Sequence, residues 1–192
     1  MSDTSATGGP LAPTVPTPPL EGQSLNRFFQ TWVVALTGLD GTLVRPRWQP
    51  EPSNIPAAGE AWCALGITRT IADTYPYVEG GNLQRHEDIT LLLSFYDLGT
   101  DGQAQYYAAL FRDGAAVPQN LEVLQVAGMG MVSVGELVQA PVLMKQRWLY
   151  RVDVTMVIRR AVTRTYQILD VASFDGELIT SDGNEYPINV SQ

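Results

Sequence analysis

From Trp148 to Arg160 the side chains alternate: Val152, Val154, Met156 and Ile158 fall on one side, and Arg151, Asp153, Thr155 and Arg159 on the other. A period of two is the mark of a strand with one face in a core and the other toward water. A second stretch, His86 to Leu98, repeats the pattern with Ile89, Leu91, Leu93 and Phe95. Two long strands of this kind need a sheet to pair in and another layer to cover their apolar side.

The covering layer is legible as helices. Leu25, Phe28, Phe29, Trp32, Val33 and Leu36 recur at helical spacing between Ser24, read as the N-cap, and Gly38, read as the left-handed stop. Asp101 opens a second helix carrying Ala104, Tyr107, Ala108 and Phe111, and Pro118 to Leu124 forms a short third one. Strands are predicted over Thr42–Arg47, Trp62–Ile71, Gly128–Val134 and Val162–Phe174. Tyr75–Val78 continues the second of these after a bend, and a single long bent strand is the alternative for the last. Gly80-Gly81, Asp175-Gly176 and Asp182-Gly183 read as turns. The expected fold is α+β: a mostly antiparallel β-sheet with two or three helices packed on one face. Residues 1–22, rich in Pro, Thr, Ser and Gly, cannot bury enough apolar surface to offset their ordering entropy. They are expected to form a flexible arm ahead of a single domain at 23–192.

Charge limits the function classes. The net charge of −8 opposes tight non-specific binding to DNA, which requires basic groups to displace counterions. Five of the bases (Arg147, Arg151, Arg159, Arg160 and Arg164) cluster late in the chain and read as the solvated face of a strand pair. No apolar run approaches the ~18 residues of a membrane span, and the first twenty residues lack the regions of a secretory signal. One cysteine, Cys63, fits a reducing compartment and reads as a small buried hydrophobe.

Catalytic and metal constellations do not emerge. His86 is the single histidine and reads as an ordinary residue near a strand start. No phosphate loop, nucleophile elbow or dinucleotide fingerprint occurs, and Glu87, Asp97 and Asp101 are scattered acids at strand ends and turns. No catalytic residue, cofactor or metal is therefore assigned. The distinctive segment is Leu43–Pro52, with Arg45, Arg47, Trp48 and Gln49 among closely spaced prolines. Proline lowers the entropy cost of fixing a loop, and Trp and Arg dominate binding hot spots. These four residues are the candidate protein interface; a stiff connection packed over the protein's own core is the other reading of the segment.

That segment, followed by Trp62-Cys63-Ala64-Leu65-Gly66-Ile67, resembles the phage neck terminator proteins. So do Arg147–Val154 and Tyr166-Gln167-Ile168-Leu169. The similarity runs from about residue 24 to the C-terminus. It implies a virion protein, made in the host cytoplasm, that forms a ring at the junction of head and tail, usually of six subunits. The ring would cap the tail tube and join it to the head connector. Implied partners are further copies of the chain, tail tube and sheath proteins, and connector proteins. Genomic DNA would pass through the lumen without specific binding, and no membrane is involved. The resemblance also implies the compact α+β fold of tail terminators and brings no catalytic residues. Rival readings are another head–tail adaptor or minor tail protein, a small-ligand or peptide-binding domain lined by Trp48, Trp62, Tyr75 and Tyr77, and a hydrolase using acidic residues alone.

Overall fold

A computed structural model of the protein describes residues 8–14, 20–48, 56, 59–99, 102–144, 146–168, 173–179 and 185–191. Among them lie three helices: α1 (Gly22–Thr37), α2 (Gln103–Ala115) and α3 (Pro118–Val126). The strands are β1 (Pro13–Thr14), β2 (Val44–Pro46), β3 (Trp62–Ala72), β4 (Tyr77–Glu79), β5 (Asn82–Asp97), β6 (Met129–Gln139), β7 (Val142–Met144), β8 (Arg147–Tyr166), β9 (Ser173–Ile179) and β10 (Glu185–Ser191). None of the described helices is long and apolar enough to cross a membrane. The chain divides into two compact units. The larger comprises Thr17–Pro76 and Gln84–Val162, and the smaller Met1–Pro16, Tyr77–Leu83 and Thr163–Gln192.

In the larger unit the strand order is β6–β8–β5–β3–β2. β3 pairs antiparallel with β5, and β6 and β7 pair antiparallel with β8. Ion pairs and hydrogen bonds link Glu87 to Arg160, Asp88 to Arg159 and Ser94 to Asp153. Their opposite numerical order makes the β5–β8 pair antiparallel too. β2 alone runs parallel to its neighbour, with Val44 opposite Cys63. The expected α+β class and mostly antiparallel sheet are thus observed.

The alternation sets which face is core. Ile89, Leu91, Leu93 and Phe95 of β5 are fully buried with Val152, Val154, Met156 and Ile158 of β8. Phe29, Trp32 and Val33 of α1, Ala104, Ala108 and Phe111 of α2, and Leu124 of α3 complete the same cluster. Each large apolar side chain taken from water contributes ~1.5–3 kcal/mol. Trp32 meets Phe111 edge-on at 5.6 Å. Its indole N–H donates to the carbonyl of Asn120 at 2.9 Å, so the ring is buried without an orphaned donor.

The element ends refine several expectations. α1 starts at Gly22, capped by Glu21, and Ser24 sits inside the first turn, where its hydroxyl accepts from the Glu21 N–H at 3.1 Å. Gly38 closes the helix as expected, with φ 71°. α2 is introduced by Gly102, and Asp101 lies outside the described residues. Buried Asp97, at the end of β5, accepts from Gly99 N–H at 2.6 Å and Gln103 N–H at 3.3 Å. That places a carboxylate at the positive end of α2. β8 continues unbroken through Tyr166, so the single long strand replaces the separate one starting at Val162.

Arg160 departs from the expected solvated arginine face. It falls on the same side of β8 as Ile158 and is buried. Its Nε donates to Glu87 Oε1 at 2.7 Å, and Nη1 donates to the carbonyl of Leu20 just before α1. Arg85 reaches the other Glu87 oxygen at 3.6 Å.

In the smaller unit the Gly80-Gly81 turn joins β4 to β5 as expected. Tyr166 N–H donates to the Gly81 carbonyl at 2.7 Å. Gly81 has φ 77°, and a Cβ there would meet the Tyr166 carbonyl at 2.7 Å, so no other residue fits. β1 pairs with the end of β8, Pro13 opposite Tyr166. β9 and β10 form an antiparallel pair in which Gly176 faces Ile188. Asp175-Gly176 is therefore strand interior and not a turn: the polypeptide stays extended because each residue finds a partner across the ladder. Asp182-Gly183 lies outside the described residues.

The buried ion pair sets a stability test. Glu87→Ala strands the buried Arg160 charge and should cost ~3–5 kcal/mol in urea unfolding, whereas Arg160→Ala leaves Glu87 with Arg85 and should cost less. Asp113→Ala removes the exposed partner of Arg112 and should change stability by less than ~0.5 kcal/mol.

Candidate functional site

The sheet face opposite the helices is built from the other half of each alternation. Register places Arg45 beside Ala64 on β2 and β3, and Ala64 beside Ser94 on β5. Arg47 follows β2 and extends its pairing, with its N–H donating to the Leu65 carbonyl at 2.6 Å. Asp153 and Arg151 of β8 complete the row.

These residues form one connected chain of contacts. Arg47 Nη2 donates to the Ser94 hydroxyl, and that hydroxyl donates to Asp153 Oδ1. Arg151 grips the same carboxylate with two parallel bonds, Nε to Oδ1 at 2.7 Å and Nη2 to Oδ2 at 2.6 Å. Such bidentate pairs are the strong, directional kind. The bond to Asp153 raises the Arg151 pKa above its ordinary value. The Arg151 guanidinium also lies 5.9 Å from the centre of the Tyr96 ring, which stacks on Trp62 at 4.1 Å with planes 11° apart. Four strands are thus tied together through side chains on this face. Arg47 Nε and Trp62 Nε1 are buried donors with no bonded acceptor among the described residues.

Trp48 differs from the rest. It is 63% exposed, yet its ring has a defined seat. A Cβ on Gly66 would lie 2.6 Å from Trp48 Cζ3 and 3.1 Å from Arg47 Cβ, so the indole rests where Gly66 leaves room. Arg45 Nε donates to the Thr42 carbonyl at 2.7 Å. The structure therefore brings Arg45, Arg47 and Trp48 to one side of the sheet; Gln49 lies outside the described residues.

Other candidates resolve simply. Cys63 is fully buried on the core face, and burial pushes its thiol well above the ordinary range. His86 is exposed, with Nδ1 3.8 Å from Asp73, which also pairs with Arg159 at 3.1 Å. Among the described residues no three His, Cys, Asp or Glu side chains converge on a metal-sized site. Ser94, Tyr96 and Asp153 were missed in the sequence. A lone serine in the apolar run Leu91–Phe95 was the available signal, but linking it to Arg47 and Asp153 needs the register.

One sheet face thus carries an interlocked row of arginines and an exposed, seated tryptophan. The family described as phage neck terminator protein matches residues 23–184. The chain belongs to this family and is a structural component of the phage tail and neck, associated with other head and tail components of the virion. No curated protein matches it.

Two tests follow from the geometry. Gly66→Ala should unseat the Trp48 indole and change its fluorescence, with a stability cost below ~1.5 kcal/mol because the ring is free to swing outward. Cys63 should resist thiol reagents at pH 8 in the folded protein and react fully in denaturant. Its contribution to pH dependence has a definite sign. A raised thiol pKa favours the folded state fully below the ordinary value of 9.0, and this contribution is lost as pH rises beyond it.

Proposed function

We propose that copies of this chain close into a ring, of six subunits, that caps the tail tube and joins it to the head connector. A closed ring requires each copy to offer two different patches, because its contacts run head to tail. The observation that supports an interface role is Trp48, on the sheet face opposite the described helices, 63% exposed yet held in place over Gly66. Pre-ordering a large aromatic reduces the entropy lost on association. Arg45, Trp48 and Gln49 form the contact surface, with Arg47 belonging to it and anchoring it to Ser94.

Partners of the ring are the tail tube, the sheath and the connector. The virion is its final location after synthesis in the host cytoplasm. The arm expected at residues 1–22 is tied to β8 of its own chain at Pro13 and Thr14, and from that anchor it adds to the contacts with neighbours. The net charge of −8 suits a lumen through which DNA slides without adhering.

Trp48→Ala should leave the fold intact, because the side chain is exposed, and should weaken ring formation or tail joining at least ~10-fold, as loss of an aromatic hot spot does. Native mass and reconstituted tail joining are the readouts; wild-type values in both would remove Trp48 from the interface. Duplex DNA should not be retained by the assembled protein at ~150 mM salt. Tight binding there would contradict the passive lumen.

A further inference from the structure

The apolar stripe of β8 outruns the helices that cover it. Val152 is the last of its buried residues, and Tyr150 already borders a hollow with Gly102 and Gln105 at the start of α2. Beyond that point Tyr150 and Trp148 keep the same side of the strand but are 44% and 58% exposed. Trp148 pairs across β7 with Leu143, which is 60% exposed. The two strands meet through a two-residue connection in which Gln146 takes φ 65°, as tight hairpins require. The result is a hairpin with an apolar ridge of Leu143, Trp148 and Tyr150.

A concave apolar surface lies elsewhere on the same unit. α1 and α3 leave a groove of about 360 Å³ between them, lined by Phe28, Thr31, Trp32, Ala35 and Val123, with Ser24 and Arg27 also on its wall. Farther along α3, Val126 is 91% exposed. The N-terminal end of α1 is fixed by the bond from Arg160 to Leu20. Arg160 is ten residues along β8 from Tyr150, roughly 33 Å at ~3.3 Å per residue. Ridge and groove entrance thus stand at opposite ends of the strand.

We infer that the hairpin ridge of one copy seats in the α1–α3 groove of the next. This rests on the ring reading above and assigns the surfaces through which copies meet. Three observations select a second copy as the occupant. Ridge and groove are unlike patches on one chain, which is what a head-to-tail contact demands. Both are apolar, and the exposed ridge residues Leu143, Trp148 and Tyr150 are contiguous, unlike the apolar side chains that are commonly scattered singly over a surface. The charges also match: residues 142–150 carry Lys145 and Arg147 and no acid, in a chain of net charge −8, and the two acids beside the groove outnumber the one base on its wall, Arg27. Glu21 caps α1 at the Ser24 end of the groove, and Glu122 stands exposed next to Val123.

The test uses full-length protein in two preparations, Leu143→Cys and Ala35→Cys, mixed dilute, concentrated and treated with a short bismaleimide. Cys63 is buried and does not compete. A crosslinked dimer in the mixture, absent from either preparation alone, is expected. Trp148→Glu should raise the concentration needed for assembly at least ~10-fold while the melting curve stays near wild type. Oligomers of the expected mass without the mixed crosslink would overturn the ridge-and-groove contact and leave the ring standing. A chain that stays monomeric at every concentration and on tails would overturn the ring, and this contact with it. Capture of the Leu143→Cys variant by a different virion protein would overturn the second copy as occupant.

Discussion

The pairing of β5 with β8 is the constraint from which the larger unit follows. Both strands are long, adjacent and antiparallel, and both send their large apolar side chains to the same face. That face has to be covered, and α1, α2 and α3 cover it with Phe29, Trp32, Phe111 and Leu124. The same alternation sends Ser94, Tyr96, Arg151 and Asp153 to the opposite face. The make-up of that face is therefore a by-product of the period that builds the core: moving the register by one residue would bury the arginines and expose the leucines.

The buried exceptions show how the face is kept in place. Ser94 is fully buried, and its one hydroxyl is shared between the Arg47 donor and the Asp153 acceptor. A hydrogen-bonded network of this kind has directional demands that apolar contact lacks, and it defines one arrangement of β2, β5 and β8. Trp48 gains from that rigidity. Its backbone neighbour Arg47 is bonded both to Leu65 and to Ser94, so the indole is presented from a fixed base.

Much of this was legible in the residues alone. The alternation in Trp148–Arg160 and His86–Leu98 predicts the core strands and their inward residues, and helical spacing in Leu25–Leu36 predicts α1, because periodicity directly reports which side chains share a face. What escaped depends on tertiary context. Arg160 obeys the alternation and so points inward with Ile158; only the presence of Glu87 across the strand makes that acceptable, and such pairing is invisible without register. Asp175-Gly176 has turn chemistry, but the ladder to Asn189 and Ile188 overrides it. In the candidate site, residue type pointed to Arg47 and Trp48, whereas Ser94 and Asp153 lie far along the chain from Arg47 and are joined to it only by the fold. Tyr150 and Trp148 continue the stripe of Val152, so their apolar direction was readable; where the helices stop was not.

The sheet edges constrain how copies can meet. An exposed, regular edge strand invites another strand to add to it. Here β2, at one edge, has three residues and ends in Pro46, which has no N–H to offer a ladder. At the other edge β6 shifts register between Met131 and Ser133 and again between Val134 and Leu137. Such irregularities twist an edge away from a regular partner. Neither edge of the larger unit is suited to strand addition, so in the proposed ring copies would meet on that unit through side-chain surfaces. That requirement favours patches with their own shape, a seated indole on one face and a ridge with its groove, over a continuous intersubunit sheet. It also limits runaway growth: side-chain surfaces of fixed geometry can be arranged to close after a set number of copies, whereas an open strand edge has no inherent stopping point.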